Sequence, residues 1–463
     1  MRADKPMRQR YIFGFWLPLF ASWLLMSAEG PIVSAAINRL PNEVIMLAAM
    51  GIVTSLSVTI ESPIINLLST ATALTQDWRT FVLLRRFTLH WILLLTGVSA
   101  ALAFTPLFDL VVVRAMGTPP AVAEWVRPGM QIMLFWTAAI GWRRFLQGVL
   151  IRFGYTRRLA WGTAVRLAAS GGTAIALALW SGWPGVVVGA CALMAGVLAE
   201  ALFATLAVRP VLRHELHPDN PPPAEEPGRE LTYRELFWFH LPLAATSLLT
   251  LLAQPLVAFS LARLANPTNS LAAWPLIFQM LLLTRAAAFA LPEVVIALTR
   301  RQDNYAPIRR FSLTLAAASL AGTALVTMTP LLSFYIFVVQ DTTPEVGELA
   351  RLGMTLFLFL PAITVLISWL RGLLISRRAT RDVNLGMAIN LSLTAVVLFA
   401  GLAVRWPGIP TAAVALNLAA LAEMLYLFWR VRRLPGFGGQ QFGNPADPQF
   451  SNSASQPVST LTG

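Results

Sequence analysis

The chain is written twice. Leu17-Pro18-Leu19-Phe20-Ala21-Ser22-Trp23-Leu24-Leu25 returns in mid-chain as Leu241-Pro242-Leu243-Ala244-Ala245-Thr246-Ser247-Leu248-Leu249. The same offset joins Pro31 to Pro255, Arg39 to Arg263, Arg85-Arg86-Phe87 to Arg309-Arg310-Phe311, Pro120 to Pro344 and Gly148 to Gly372. A single deletion then shortens it by one position, joining Trp183-Pro184-Gly185 to Trp406-Pro407-Gly408 and Ala199-Glu200 to Ala422-Glu423. Self-similarity at a fixed spacing, sustained over roughly two hundred residues, means one folding unit duplicated.

The unit belongs in a membrane. Hydrophobic residues make up 56% of the chain and charged residues 12%, and the apolar runs exceed the roughly 20 residues that cross a hydrocarbon core. Continuous runs without strict alternation specify helices rather than a barrel. Twelve spans are expected, at 11–37, 44–74, 86–113, 120–150, 158–181, 185–212, 233–263, 270–299, 308–338, 345–376, 381–404 and 408–431. Six spans per copy put both copies in the membrane the same way up, related by a pseudo-two-fold axis along its normal. The fold class is therefore all-α, integral to the membrane, in a 6+6 plan. Residues 1–213 form the first six-helix lobe, 214–232 a proline-rich cytoplasmic linker, 233–433 the second lobe, and 434–463 a Gly, Asn, Gln and Ser-rich disordered tail.

Net charge is +13, and its placement explains it. The N-terminus, the even-to-odd loops and the C-terminal flank hold 27 Arg and Lys residues; the opposite side holds six, Arg39, Arg114, Arg127, Arg263, Arg351 and Arg405. The positive-inside rule puts both termini in the cytoplasm and the protein in the cytoplasmic membrane. The basic charge is thus a topology signal suited to anionic lipid headgroups, with no nucleic-acid partner implied. Cys191 is the single cysteine, so no intrachain disulfide forms. The basic stretch ahead of the first apolar run resembles a leader, but that run is longer than a usual leader core and its copy lies in mid-chain, so the segment is expected to be retained.

Ionisable groups within the spans are the functional candidates. Glu61 and Arg285 are related by the repeat offset, so the copies place opposite charges at the same position of the second and eighth spans. If those spans face each other, the two side chains form a substrate or gate pair that alternating access makes and breaks; a permanent interhelical bridge is the plainer reading. Glu29 precedes Gly30-Pro31 and is the candidate for ion coupling, a carboxyl beside a helix break that takes up a proton or a cation. Pro31 and Pro255 are paired kinks, candidates for bending during gating. Glu200 and Glu423 fit a structural role inside each copy. Arg166 and Asn390, also equivalent, join Asn66, Asn38, Gln131, Gln279, Asn384 and Asn417 as cavity liners. No metal site is expected: His214 and His217 have helical spacing but lie in the linker without further ligands. No nucleotide cradle is present, so movement of a solute would use a proton or sodium gradient or run downhill.

The connection after the fourth span reads Gln147-Gly148-Val149-Leu150-Ile151-Arg152-Phe153-Gly154-Tyr155-Thr156-Arg157-Arg158, and its copy Arg371-Gly372-Leu373-Leu374-Ile375-Ser376-Arg377-Arg378-Ala379-Thr380-Arg381. This pattern resembles the multidrug/oligosaccharidyl-lipid/polysaccharide exporter (MOP) superfamily, which includes the multidrug and toxic compound extrusion (MATE) transporters. Pro18-Leu19, Ala28-Glu29-Gly30, Glu43-Val44-Ile45-Met46-Leu47-Ala48 and Phe237-Trp238-Phe239-His240-Leu241-Pro242-Leu243 look like the progressive ankylosis family within it. The resemblance implies a V-shaped pair of lobes and export by rocker-type alternating access, in a chain working as a monomer. MATE relatives extrude organic cations through lobe carboxylates; ankylosis relatives move anions such as pyrophosphate, citrate or nucleotides. The acidic cluster of the first MATE helix is reduced here to Glu29, and Arg285 at mid-membrane suits an anionic substrate. The Gly-x-Leu-x-Asp loop of major facilitator carriers is absent from Thr75–Arg86. The expected function is secondary export of a small organic solute, with a lipid-linked-saccharide flippase as the alternative. A membrane-embedded transferase or a non-transporting scaffold stands further off, and no enzymatic motif is present.

Overall fold

Proline and left-handed residues punctuate the chain at equivalent places in both copies. The computed structural model describes residues 8–155, 157–217, 231–299, 305–377 and 379–433. Most of the expected linker and the tail 434–463 lie outside the described residues. The first copy contains α1 (Gln9–Ile37), α2 (Glu43–Ile65), α3 (Leu67–Leu74), α4 (Trp78–Phe104), α5 (Pro120–Ile132), α6 (Trp136–Arg152), α7 (Arg157–Trp180) and α8 (Gly185–His214). The second contains α9 (Tyr233–Leu251), α10 (Ala253–Leu261), α11 (Pro267–Phe289), α12 (Leu291–Leu298), α13 (Tyr305–Met328), α14 (Pro330–Ser333), α15 (Pro344–Leu356), α16 (Leu360–Ser376), α17 (Thr380–Val404) and α18 (Gly408–Arg432). Among the described residues the only β-type pairing is an isolated bridge between Ala265 and Pro407.

The repeated prolines start helices. Pro120 and Pro344 sit in the first turns of α5 and α15, where a missing N–H costs nothing, and Pro184 and Pro407 cap α8 and α18 in extended conformation. Two expected spans end early: α4 stops at Phe104 and α13 at Met328, each just before Thr-Pro, because a residue preceding proline leaves the helical region. The chain then makes π-helical segments at Asp109–Ala115 and Phe334–Val339. Pro31 lies inside an unbroken α1, whereas Pro255 follows a break at Leu252. The two repeat-related prolines thus sit in different settings: the first copy keeps its helix continuous where the second interrupts it.

Ten helices or contiguous helix pairs among the described residues are long and apolar enough to cross a membrane, and the bent pair α15–α16 (46°) makes an eleventh. The remaining expected span, 120–150, is α5 and α6 joined by a 3-10 turn and carrying Glu124, Arg127, Arg143 and Arg144. Its charge and its break keep it below the same measure. The chain is a multi-pass membrane protein.

The two copies meet along α1 and α2 on one side and α9, α10 and α11 on the other. Small residues permit the closest approach, as expected where van der Waals packing holds membrane helices together. A Cβ on Gly51 of α2 would lie 2.6 Å from Pro275 Cγ of α11, and one on Gly30 of α1 would lie 2.8 Å from Gln279 Cγ. Single hydrogen bonds line this seam: Trp16 Nε1 to the Ala287 carbonyl (3.1 Å), Gln279 Nε2 to Ser34 Oγ (2.7 Å), and Asn66 Nδ2 to Ser247 Oγ (2.6 Å) and the Leu243 carbonyl (2.7 Å).

Candidate functional site

Charge is gathered inside each copy, not between them. In the first copy, Glu29 of α1 accepts a two-pronged ion pair from Arg166 of α7, Nε at 3.0 Å from both carboxylate oxygens and Nη2 at 2.5 Å from Oε2. Glu200 of α8, 1% exposed, accepts from Arg143 and, at 3.0 Å, from Gln147 Nε2, both on α6. Arg166 Nη1 lies 3.8 Å from Glu200 and so bridges the two carboxylates. Glu61 of α2 is buried beside Arg143, Arg166 and Arg144, with its Oε2 unpartnered. The Trp136 indole lies near Glu61, but Trp136 Nε1 meets no hydrogen-bonding geometry. Three carboxylates and three guanidiniums thus balance in one apolar interior, the condition under which buried charge is tolerated.

The second copy repeats the frame and changes the charge. Glu423 of α18, 1% exposed, accepts from Arg371 of α16 (Nε at 2.8 Å) and from Asn390 of α17 (Nδ2 at 2.9 Å). Arg285 of α11 donates Nε to Thr364 Oγ1 at 2.9 Å and lies over the Phe289 ring at 5.3 Å. Among the described residues no carboxylate lies within ion-pairing distance of Arg285. One carboxylate and two guanidiniums leave this buried cluster one positive charge in excess.

The expected Glu61–Arg285 pair is not formed. α2 and α11 do face each other, yet Glu61 turns toward α6 and α7 and Arg285 toward α16. Repeat-equivalent side chains point equivalently within their own copies, so they meet only on the pseudo-axis itself. Glu29 stands beside no helix break, because α1 runs on through Gly30-Pro31, and its partner is Arg166. Arg166 and Asn390 are thereby members of the two buried networks. Asn66 sits on the seam. Arg143, Arg144 and Arg371 belong to the interior; without them the two ends of the spans hold 24 and six basic residues. All three fall inside expected spans, Arg143 and Arg144 in 120–150 and Arg371 in 345–376.

No protein-family model matches the sequence, and a search of curated proteins finds no match. Solved structures do share the fold. A multidrug-resistance MATE transporter of the MOP superfamily, in its inward-facing conformation, superposes with a TM-score of 0.63 over 88% of this chain and 94% of its own, at 14% identity. The lipid II flippase MurJ, in an inward closed conformation, gives 0.68 over 91% and 88% at 12% identity. A MOP-superfamily transporter from Pyrococcus furiosus, described as having a binding pocket of reversed polarity, gives 0.60 over 91% and 95% at 13% identity. The fold is that of the MOP superfamily, as the connecting motifs implied.

Proposed function

We propose that the chain is a secondary transporter that moves an anionic organic solute out across the cytoplasmic membrane by alternating access of two six-helix lobes, 1–213 and 233–433. The linker 214–232, the tail 434–463 and both termini lie in the cytoplasm, the side the positive-inside rule assigns them. The unbalanced guanidinium of Arg285 carries this reading. A charge held inside a membrane protein is expensive unless compensated, and one kept without a carboxylate awaits an anion from elsewhere. Thr364 holds its Nε and the Phe289 face steadies the plane, leaving the terminal nitrogens for a forked contact with carboxylate or phosphate. The Pyrococcus transporter, described as having a pocket of reversed polarity, supports the view that pocket charge varies within this fold.

Coupling to a proton or sodium gradient falls to the first lobe, where Glu29 and Glu61 share Arg166 as neighbour. A cation arriving at either carboxylate frees that guanidinium for the other, a rearrangement within one lobe that can bias its tilt. Asn66, on the seam, and Pro31 and Pro255, at the interhelical surfaces, are the proposed gating elements. Asn390 acts with Glu423 as the frame behind Arg285.

A second reading, flipping of a lipid-linked saccharide, draws support from the likeness to MurJ and from the same excess cation, since such a lipid presents phosphate. Liposomes separate the two. The purified protein is reconstituted with phosphate-rich organic anions, organic cations, or a fluorescent lipid-linked sugar, with and without proton or sodium gradients. Gradient-dependent anion flux, lost at least tenfold in Arg285→Ala, is expected. Organic-cation flux with no anion flux sinks the proposal, and lipid translocation alone favours the flippase.

A further inference from the structure

The outer rim carries a second duplicated device. Arg39 follows the end of α1, and Arg263 stands just beyond the end of α10; both are exposed. Arg39 Nη2 donates to the carbonyls of Val339 (2.9 Å) and Val338 (3.5 Å), in the π-helical segment of the second copy. Arg263 Nη2 donates to the carbonyls of Ala115 and Arg114, and Nη1 to that of Met116, at the end of the π-helical segment of the first. Ala115 and Val339 are related by the repeat offset, as are Arg114 and Val338, so the two contacts are one contact made twice, in opposite directions across the seam.

Local backbone geometry builds both sides of it. Each π-helical segment is ended by a left-handed residue, Gly117 (φ +69°) or Asp341 (φ +54°), again at equivalent positions of the repeat. That ending leaves the last carbonyls without helical partners, at the negative end of the segment's dipole, where a guanidinium is favoured. Each arginine is followed three positions on by a left-handed asparagine, Asn42 (φ +59°) or Asn266 (φ +55°), which turns the chain into α2 or α11. Left-handed backbone at non-glycine residues is uncommon, and here it recurs in register at Asn42 and Asn266. Gly117 is also where a side chain would obstruct the contact: a Cβ there would sit 3.1 Å from Arg263 Cζ.

We infer that Arg39 and Arg263 form a reciprocal latch that holds the outer side of the two lobes closed and releases at both contacts together when that side opens. Every ion pair between two described residues lies within one copy, so each lobe is braced internally. The rim contacts are different in kind. They are exposed, so water replaces each lost bond on release. Their acceptors are backbone carbonyls, fixed to the segments that move. Of the six arginines on this side, two are spent on the crossing, one per copy. The latch rests on the alternating-access reading of the fold but is independent of the cargo.

The test uses the full chain in lipid nanodiscs, with Cys191→Ser and spin labels at Leu107→Cys and Leu331→Cys, repeat-equivalent exposed positions beside the two segments. Distances are read without substrate. The parent is expected to show mainly the short, closed-rim separation. Arg39→Ala with Arg263→Ala should raise the long-distance population at least threefold, and each single variant should raise it by a similar, smaller amount. Should the double alanine variant not reach the membrane, Arg39→Lys with Arg263→Lys, which keeps the charge and loses the fork, should move the distribution the same way. Distances unchanged in the double variant, or one arginine silent while the other acts, overturn the latch. Anion flux with an unmoved rim removes the latch alone; a moving rim without anion flux removes the cargo reading alone.

Discussion

Gln147 and Arg371, equivalent positions of the repeat, each reach the Oε1 oxygen of the buried glutamate in their own copy, at 3.0 Å and 2.8 Å. On the Oε2 side stand Arg166, 3.8 Å away, and Asn390, equivalent in the same way, and the first copy adds Arg143, whose repeat position holds Ile367. From these two positions each glutamate meets one amide and one guanidinium, with the two exchanged between copies. Local neutrality constrains the pair of positions, and neither position alone.

Exchanging the second copy's partners should therefore be tolerated better than changing either one. Arg371→Gln leaves Glu423 with two amides and should cost about 3–5 kcal/mol, the usual penalty for breaking a buried pair from one side. Adding Asn390→Arg should recover at least half of that loss. Thermal unfolding of the purified single and double variants reads the coupling directly; a double variant as unstable as the sum of its parts would refute the exchange.

Glu200 and Glu423 differ in how much they hold. Glu200 accepts from Arg143 and Gln147 with Arg166 close by, and Glu423, among the described residues, from Arg371 and Asn390. Glu200→Gln is expected to lower the unfolding temperature more than Glu423→Gln, because it orphans the deeply buried Arg143. Equal shifts would mean that Arg143 finds compensation in Glu61.

Thr364 tests whether Arg285 needs orienting. Its hydroxyl donates to the Leu360 carbonyl at 2.7 Å and accepts from Arg285 Nε at 2.9 Å. Thr364→Val removes about 1 kcal/mol of hydrogen bonding and should raise the KM for anion flux several-fold with little change in maximal rate. A loss of maximal rate with KM unchanged would assign Thr364 to the lobe's movement instead.

The duplication was readable in sequence because proline, glycine and paired arginines recur at fixed spacing, and each of them fixes backbone geometry or topology. Position along the helix followed from the same register: Glu61 and Arg285 stand at equivalent places in α2 (Glu43–Ile65) and α11 (Pro267–Phe289). Direction did not. Successive helical residues turn by about 100°, so an offset correct in level says nothing of which neighbour a side chain meets. The early ends of α4 and α13 had a signal in Thr105-Pro106 and Thr329-Pro330, masked by uninterrupted apolar sequence on either side. Arg144 fell inside the expected span 120–150 but near its end, where the local sequence does not separate a buried arginine from one that reaches solvent.

Glu61 separates coupling from carriage. Its unpartnered Oε2 lies among three arginines, so Glu61→Gln removes a charge without leaving a cavity. Gradient-driven accumulation should fall at least tenfold while exchange of labelled for unlabelled anion across a gradient-free membrane persists. Glu29→Gln should also depress accumulation, with an added stability loss from releasing Arg166. Exchange lost together with accumulation in both variants would place these residues in the carriage step.

Gly51 and Pro275 set how close the lobes approach. Pro275 has no N–H, so the Leu271 carbonyl one turn back loses its helical donor, and that oxygen is 3.6 Å from where a Gly51 Cβ would stand. The same Cβ would lie 2.6 Å from Pro275 Cγ, a ring carbon that cannot rotate away. Gly51→Ala must therefore push α2 and α11 apart or shift the ring's helix, at about 1–3 kcal/mol for overpacking. Pro275→Ala removes the obstructing ring and restores a donor for Leu271, so it should relieve most of the cost in the double variant. Unfolding of the four proteins of that cycle decides it: a Gly51→Ala protein as stable as its parent would show the seam to be looser than a fixed contact between these two residues allows.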